Sequence, residues 1–338
     1  MFTPHRTRTR WALATLLTVT ALSAGCVSRL TGNEGNLVFS YVADDSVADF
    51  NKPIAIGARL DINVRAAGTN ELVSLESAIS EDPTVLDVVA AAGSDMTIEG
   101  KGTGNTLLAV KAKLPDGSQV SDSVNLGARK PEKLRLWHHC SNDGAAPYLV
   151  GNEVLVPYEM EMSNGQPVIG YGYWPVDLAP ATAATINQTN KAQQHLWLEL
   201  SSTAGKLTLT SQIDTTTLEL DLVEPSAIDD ALMDGGAAAK TAFAGTKHYV
   251  LIRPQTGGKT ICQANTEIKA TSTTPDACTV QALTIERKGD GIVNAWGWIE
   301  IEGKQVAKCT FDVTYPKAAD GKGITRSFEV DIVDLRKP

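Results

Sequence analysis

Apolar and polar positions alternate in short runs along most of the chain, and the runs recur. Three segments open alike: Gly57-Ala-Arg-Leu-Asp-Ile-Asn-Val64, Gly151-Asn-Glu-Val-Leu-Val-Pro-Tyr158 and Gly245-Thr-Lys-His-Tyr-Val-Leu-Ile252. Their glycines stand 94 residues apart, twice. Five and seven places beyond each glycine lie Ile62 and Val64, Val156 and Tyr158, Val250 and Ile252. That spacing predicts the inward face of a strand. Each unit then reaches a proline that ends a polar turn, at Pro83, Pro180 and Pro275. Each has a later glycine expected to open another strand, at Gly104, Gly205 and Gly303. Each closes on Val124-Asn-Leu126, Leu220-Asp-Leu222 or Val330-Asp-Ile332. A fixed period of this kind is the mark of a repeated module. Between these landmarks Pro115-Asp-Gly117, Ser163-Asn-Gly165, Thr256-Gly-Gly258 and Gly289-Asp-Gly291 supply turn residues that tolerate positive φ. The pattern predicts an all-β chain of three tandem β-sandwiches, over 37–128, 131–224 and 226–335. Helix is scarce. Ser226-Ala-Ile-Asp229 is expected to cap one short helix before Gly235, and the state of the polar stretch from Ala181 to Gln194 is left open.

The first units of length obey a different logic. A basic opening (His5, Arg6, Arg8, Arg10) precedes an apolar run from Trp11 to Leu22, and Ser23-Ala-Gly-Cys26 follows. This is the layout of an export signal, with an apolar stretch too short to span a bilayer comfortably. A cysteine directly after Ala-Gly resembles a bacterial lipoprotein lipobox. The resemblance implies a signal peptide over 1–25 and a diacylated (palmitate-bearing) Cys26 as the mature N-terminus. It also implies a lipidated tether over 26–36. Val27 after the lipid cysteine, where an aspartate is absent, resembles the outer-membrane destination.

A second resemblance lies in the first unit. Ser80-Glu-Asp-Pro83-Thr-Val-Leu-Asp-Val88, followed by Thr97-Ile-Glu-Gly-Lys-Gly-Thr-Gly-Asn-Thr-Leu-Leu-Ala-Val110, is similar to the bacterial Ig-like group 2 domain of the invasin and intimin kind. It covers residues 54 to 127. It implies an Ig-like sandwich serving as a spacer or adhesive module of the cell envelope, and it brings no catalytic residues.

Charge narrows the partners. The chain carries a formal −9. Loss of Arg6, Arg8 and Arg10 with the signal takes this to −12. So acidic a protein lacks the electrostatic footprint of a nucleic-acid binder. Anionic lipid would repel it, which leaves acyl chains as its membrane attachment. With Cys26 set aside, Cys140, Cys262, Cys278 and Cys309 remain, and four exported cysteines allow three pairings. Cys309 shares strand parity with Phe311, and Cys278 with Val280, so both point into the third core and form a natural core disulfide. Cys140 ends the first strand of unit two, and Cys262 follows the Thr256-Gly-Gly turn of unit three. Those two ends face each other across the junction, and the expected pairing is an interdomain staple. A Cys262–Cys278 bond would remove both pairings.

Aromatic placement is the remaining hint. By parity, Trp296 and Trp298 lie outward on one strand of unit three, and Trp197 lies outward on the equivalent strand of unit two. Tyr171, Tyr173 and Trp174 form a further knot. In a chain only 6% aromatic, outward rings supply either a stacking platform for a glycan or peptidoglycan, or an anchor for a protein. The alternative is that they cover a sheet face. No nucleophile elbow, zinc-protease, phosphate-loop or dinucleotide motif is present, and no catalytic residue, cofactor or metal site is expected. At His138-His139-Cys140 adjacent strand residues face opposite ways, which argues against a metal. The expectation is a non-catalytic structural, spacer or adhesive lipoprotein, or else a glycan-binding module built on outward tryptophans.

Overall fold

A computed structural model describes residues 29–42, 52–140, 145–189, 191, 194–287 and 291–335. The signal segment, Cys26 and its lipidation lie outside the described residues. The regular secondary structure of the described chain is almost wholly strand, arranged as three pairs of facing sheets.

In the first pair, Arg29–Thr31, Leu37–Val42, Arg59–Ala66, Asp95–Gly100 and Leu86–Ala92 form one sheet in that order. Ile54–Ala55, Gln119–Arg129, Gly104–Lys113 and Ser74–Ser80 form the other. The second pair sets Lys133–Leu136, Glu153–Glu161, His195–Leu200 and Ala184–Ile186 against Ala146–Leu149, Thr217–Val223, Gly205–Ser211 and Val176–Ala179. The third sets Asp230–Met233, Lys247–Thr256, Gly291–Gly303 and Cys278–Arg287 against Thr241–Phe243, Ile324–Val333, Ala307–Tyr315 and Lys269–Ser272. These are tandem Ig-like β-sandwiches. In each, one short strand pairs in parallel with the last strand, while the ladders along both sheets are otherwise antiparallel.

The period-2 reading locates the cores. Leu60, Ile62 and Val64, then Val154, Val156 and Tyr158, then Val250 and Ile252 are all buried, and they lie on equivalent strands. Each buried side chain of this size contributes about 1.5–3 kcal/mol relative to exposure, so alternation alone fixes which face of each strand turns inward.

Three expectations are corrected. Residues 29–36, read as tether, belong to the first sandwich. Arg29–Thr31 adds an edge strand to Leu37–Val42. The Asp122 carboxylate accepts the backbone N–H groups of Glu34, Asn36, Leu37 and Ser123 at 2.7–2.9 Å. Burial works to raise the pKa of Asp122, and the hydrogen bonds from Glu34, Leu37 and Ser123 outweigh it, so the group stays ionised below the ordinary aspartate range. Second, Ser226–Asp229 opens no α-helix. Pro225–Ala227 makes a single 3-10 turn, and the strand Asp230–Met233 follows at once. Strand pairing with Lys247–Thr256 outcompetes the local cap. Third, Gly303 closes a strand rather than opening one; a side chain there would meet the Phe243 carbonyl oxygen at 2.8 Å and Ile332 at 2.9 Å. Within the stretch from Ala181 to Gln194, the structure places the short strand Ala184–Ile186.

Candidate functional site

The residues singled out in the sequence fall into two places: the junctions between sandwiches and the outer face of the third.

The first junction is made by backbone. The Ala55 N–H donates to the Ile169 carbonyl at 2.9 Å, and the Ile169 N–H donates to Pro53 at 3.0 Å. Arg59 and Tyr171 exchange both N–H···O bonds, at 2.8 and 2.9 Å. The Tyr171 hydroxyl donates to Asp61 at 2.7 Å, and Lys191 pairs with the same carboxylate at 2.7 Å. The Lys191 ammonium also lies 5.4 Å from the Tyr171 ring centre. Burial pushes the Asp61 pKa up, but the bonds from Lys191, Thr97 and Tyr171 prevail and hold it low. Burial and then the Asp61 carboxylate raise the Tyr171 phenol. Tyr173 packs over Gly57, where an added Cβ would meet its ring at 3.0 Å. Trp174 is half-buried, and its indole N–H is buried without a hydrogen-bond partner. Tyr171 and Tyr173 therefore close a joint, with Trp174 half-buried next to them in sequence. Beside this joint a cavity of about 610 Å³ is bordered by Arg59, Thr97, Tyr171 and Lys191.

The second junction repeats the device. The Cys262 N–H donates to the Pro147 carbonyl at 2.8 Å, and Tyr148 and Cys262 form a parallel bridge. The Gln263 side chain then takes the place of a strand residue. Its amide nitrogen donates to the Leu155 carbonyl at 2.7 Å, and its oxygen accepts the Leu155 N–H at 2.8 Å. A Cys140–Cys262 disulfide, with Cα atoms 5.5 Å apart, ties the same edge. Leu149 of the second sandwich is buried in the core of the third, and Cys262 of the third is buried in the core of the second. A second disulfide, Cys278–Cys309, crosses the core of the third sandwich with Cα atoms 5.7 Å apart. His138 is buried with Nδ1 3.1 Å from the Tyr148 hydroxyl. Burial, then the neighbouring His195 and Arg253, lower the His139 pKa.

The tryptophans separate. Trp197 is half-buried on the His195–Leu200 strand, opposite Leu155. The parity expected for Trp296 and Trp298 is broken by a bulge. Trp296 has φ +56° and Gly297 φ +88°, and the pairing register shifts opposite them between Ala282 and Thr284. Gly297 is required there, because a Cβ would lie 2.0 Å from the Ile252 carbonyl oxygen. The Trp296 N–H, turned out of the ladder, donates to Asn265 Oδ1 at 2.9 Å, and its ring is half-buried. Trp298 alone of the two is exposed, at 39%. Its neighbour is Tyr249, 48% exposed, diagonal to it across the strand pair. Together with Leu251, Asp234 and the short helix Gly236–Ala239 they border a cavity of about 320 Å³. Two of its lining residues are held from outside it: Tyr249 donates to Glu300 at 2.9 Å, which Lys247 also pairs with at 2.9 Å, and Arg253 pairs with Asp234 at 2.7 Å. The bond to Glu300 raises the Tyr249 phenol, and the bonds from Lys247 and Tyr249 lower the Glu300 carboxyl.

Sequence reasoning missed Asp61, Asp122, Tyr249, Gln263 and Asn265. Each is a single polar or aromatic residue in an unremarkable context, and each gains its partner across 31 to 110 positions of chain or from the next sandwich. The sole available signal was Gln263 directly after an interdomain cysteine.

No protein-family model matches the chain, and no curated protein does. Among solved structures it is similar to domains 4–9 of the surface layer protein SbsC, at 12% identity over 88% of this chain and 47% of that one, with a TM-score of 0.29. It is also similar to invasin, a bacterial integrin-binding protein, at 10% identity over 88% and 60%, TM-score 0.24. A third is SGBP-B of the Bacteroides ovatus mixed-linkage glucan utilization locus, solved with a mixed-linkage heptasaccharide, at 11% identity over 88% and 70%, TM-score 0.25. The chain spans about half the length of the first of these.

Proposed function

We propose that the chain is a non-catalytic structural or adhesive module of the bacterial cell envelope, acylated at Cys26 and held at the outer membrane, whose three sandwiches act as one stiff body. The observation that carries the reading is the construction of the joints. Domain interfaces within a chain are by default mobile. Here each joint is closed by backbone hydrogen bonds, and the second is also closed by a disulfide and a buried amide fork. Joints of this kind suit a spacer that must hold a contact surface at a fixed distance. Arg29, three residues beyond Cys26, already pairs in a strand, which supports a very short tether. Among the described residues no helix is long and apolar enough to cross a membrane.

Small-angle scattering tests the stiffness. The profile is expected to fit one rigid envelope. It should broaden when Cys140→Ser is combined with Gln263→Ala. A native profile that already requires several interdomain arrangements would overturn the reading. Intact-mass analysis of protein from its native host tests the anchor, and an unmodified Cys26 thiol would remove it.

A second reading is favoured by one observation, the exposed pair Trp298 and Tyr249 beside fixed carboxylates and cations. Ring faces with flanking planar hydrogen-bonding groups suit a neutral sugar. Saturable binding on a glycan array that is lost in Trp298→Ala and in Tyr249→Ala, with unaltered melting, would support it. Binding unchanged in both variants would exclude this face.

A further inference from the structure

The two observed joints use equivalent backbone groups just ahead of the repeat glycines, and in the third sandwich the same groups have no partner among the described residues. Three residues before Gly57 stands Ile54, which bridges Ile169 of the next sandwich. Three before Gly151 stands Tyr148, which bridges Cys262 of the next. Three before Gly245 stands Ala242. Strand parity shows which backbone groups are open there. The Asp331 N–H donates to Lys240 and the Ala244 N–H to Val333, so the even positions face the Ile324–Val333 strand. The Thr241 carbonyl and the Phe243 N–H therefore face away, as do the Pro53 carbonyl and Ala55 N–H that the first joint uses.

The neighbouring strand is equally open. The Asp234 N–H donates to Leu251, so odd positions of Lys247–Thr256 face away from Gly291–Gly303. Tyr249 is four residues beyond its glycine, as Leu155 is beyond Gly151, and Leu155 is where Gln263 docks. Among the described residues, neither the Tyr249 backbone nor the outward groups of Thr241 and Phe243 has a hydrogen-bond partner. The cavity bordered by Tyr249, Gly235 and Ala238 lies at this edge. Apolar exposure agrees. Ala55 and Leu149, two before their glycines, are 0% and 1% exposed, whereas Phe243 in the same place is 40% exposed. Val306 and Leu335 are exposed as well.

We propose that this end of the third sandwich is a receiving surface for a further β-sandwich, which adds an extended segment across Thr241–Phe243 and Tyr249. An open strand edge is a template for such addition. The incoming segment is of defined kind. In the second sandwich it is 169–175, between Pro167–Val168 and Val176–Ala179. In the third it is 261–268, between Lys259–Thr260 and Lys269–Ser272. Both follow a hairpin and begin with isoleucine. The first sandwich lacks the loop, since Val73 alone separates the bridged Leu72 from the strand that starts at Ser74. A second copy thus has no spare segment to offer: its first sandwich has none, and its other two are engaged. The staple is not repeated either. Asp234 corresponds to Trp137 in donating to the sixth residue beyond the glycine, so Ala237 stands where Cys140 does, and the contact forms without a disulfide.

The proposal rests on the reading of the chain as a contact module, and its test is separate from that of stiffness. A synthetic peptide of residues 259–268, with Cys262→Ser, is titrated into the full chain while amide exchange is followed. Saturable binding is expected, with a Kd on the order of 0.1–1 mM for so short a segment. Exchange at Phe243 and Tyr249 should slow by about tenfold or more at saturation. Phe243→Pro removes the outward N–H without touching the ladder to Ile324–Val333 and should abolish the effect. Gln263→Ala in the peptide should weaken it by about tenfold. No slowing at about 5 mM peptide, or slowing that survives Phe243→Pro, overturns the proposal. Protection of the same amides by self-association, without peptide, assigns the end to a second copy and also overturns it. A rigid scattering profile with no peptide effect would leave the spacer reading standing and remove this one.

Discussion

Replacing Gln263 by alanine isolates the polar part of the second joint. The side chain makes two hydrogen bonds to one residue, at 2.7 and 2.8 Å, and its own atoms are almost wholly buried. Removal leaves the Leu155 N–H and C=O without partners. An unsatisfied buried group costs about 1–3 kcal/mol. Leu155 is half-buried, so water can recover part of that loss, and about 2 kcal/mol for the pair is the expected sum. The loss falls on opening of the joint and not on unfolding of either sandwich. It should appear as a rise of about 30-fold in the exchange rate of the Leu155 amide. The measurement belongs in a Cys140→Ser, Cys262→Ser background, where the disulfide no longer limits opening. Gln263→Glu sharpens the test. An ionised carboxylate still accepts the Leu155 N–H but cannot donate to the carbonyl, and it opposes that oxygen with negative charge. Its exchange should match or exceed the alanine variant near neutral pH and slow again on acidification, once the carboxyl regains a proton to donate. Exchange in Gln263→Ala within about twofold of the parent would refute the argument that this amide closes the joint.

Asp122→Ala should lower the melting temperature of the first sandwich by about 15 °C, from about 3 kcal/mol lost as four N–H groups lose one carboxylate. Because the folded pKa of Asp122 lies below its ordinary value, its stabilisation is complete above the ordinary aspartate range and is lost as pH falls through that range and below. Denaturant melts at stepped pH should lose this slope in the alanine variant. Gly297→Ala forces a methyl group to 2.0 Å from a backbone oxygen at a φ of +88°. A loss of about 3 kcal/mol or more in urea unfolding is expected, and a neutral result would mean that the bulge is not held as described. Replacing both Cys278 and Cys309 by serine opens a loop of separation 31 and should cost about 3–4 kcal/mol in the third sandwich, read by calorimetry.

What the sequence made legible was what alternation controls. Buried positions such as Ile62, Val156 and Ile252 follow from a period of two, and the repeated glycines mark equivalent turns because each adopts positive φ, from +69° to +91°. The cysteine partners were legible for a related reason, since strand direction fixes which pole a residue reaches. Parity failed at Trp296-Gly297, where three extra residues on that strand reverse the count and a regular strand was assumed. The aromatic knot was counted among the candidate ligand-binding rings, and the partner of Tyr171 was not legible from nearby sequence. Its hydroxyl finds Asp61 110 positions away. The tether failed similarly: nothing within residues 29–36 announces that a carboxylate at Asp122 will bind them.

The joints explain how three units can keep their landmarks while sharing little identity. A contact made by backbone groups at fixed parity from a glycine is indifferent to most side chains along the strand. Ile54, Tyr148 and Ala242 occupy one geometric position with three different residues. Chain length is under tighter control than composition, because inserting one residue between Gly245 and Tyr249 would turn the open groups toward Gly291–Gly303 and close the edge. Side-chain identity matters where the backbone cannot finish the contact. At Leu155 no strand segment arrives, and Gln263 supplies, from one side chain, the donor and acceptor that a peptide group would have offered. Stiffness in this molecule is therefore a property of register, and the most damaging change to a joint is a single-residue insertion ahead of it.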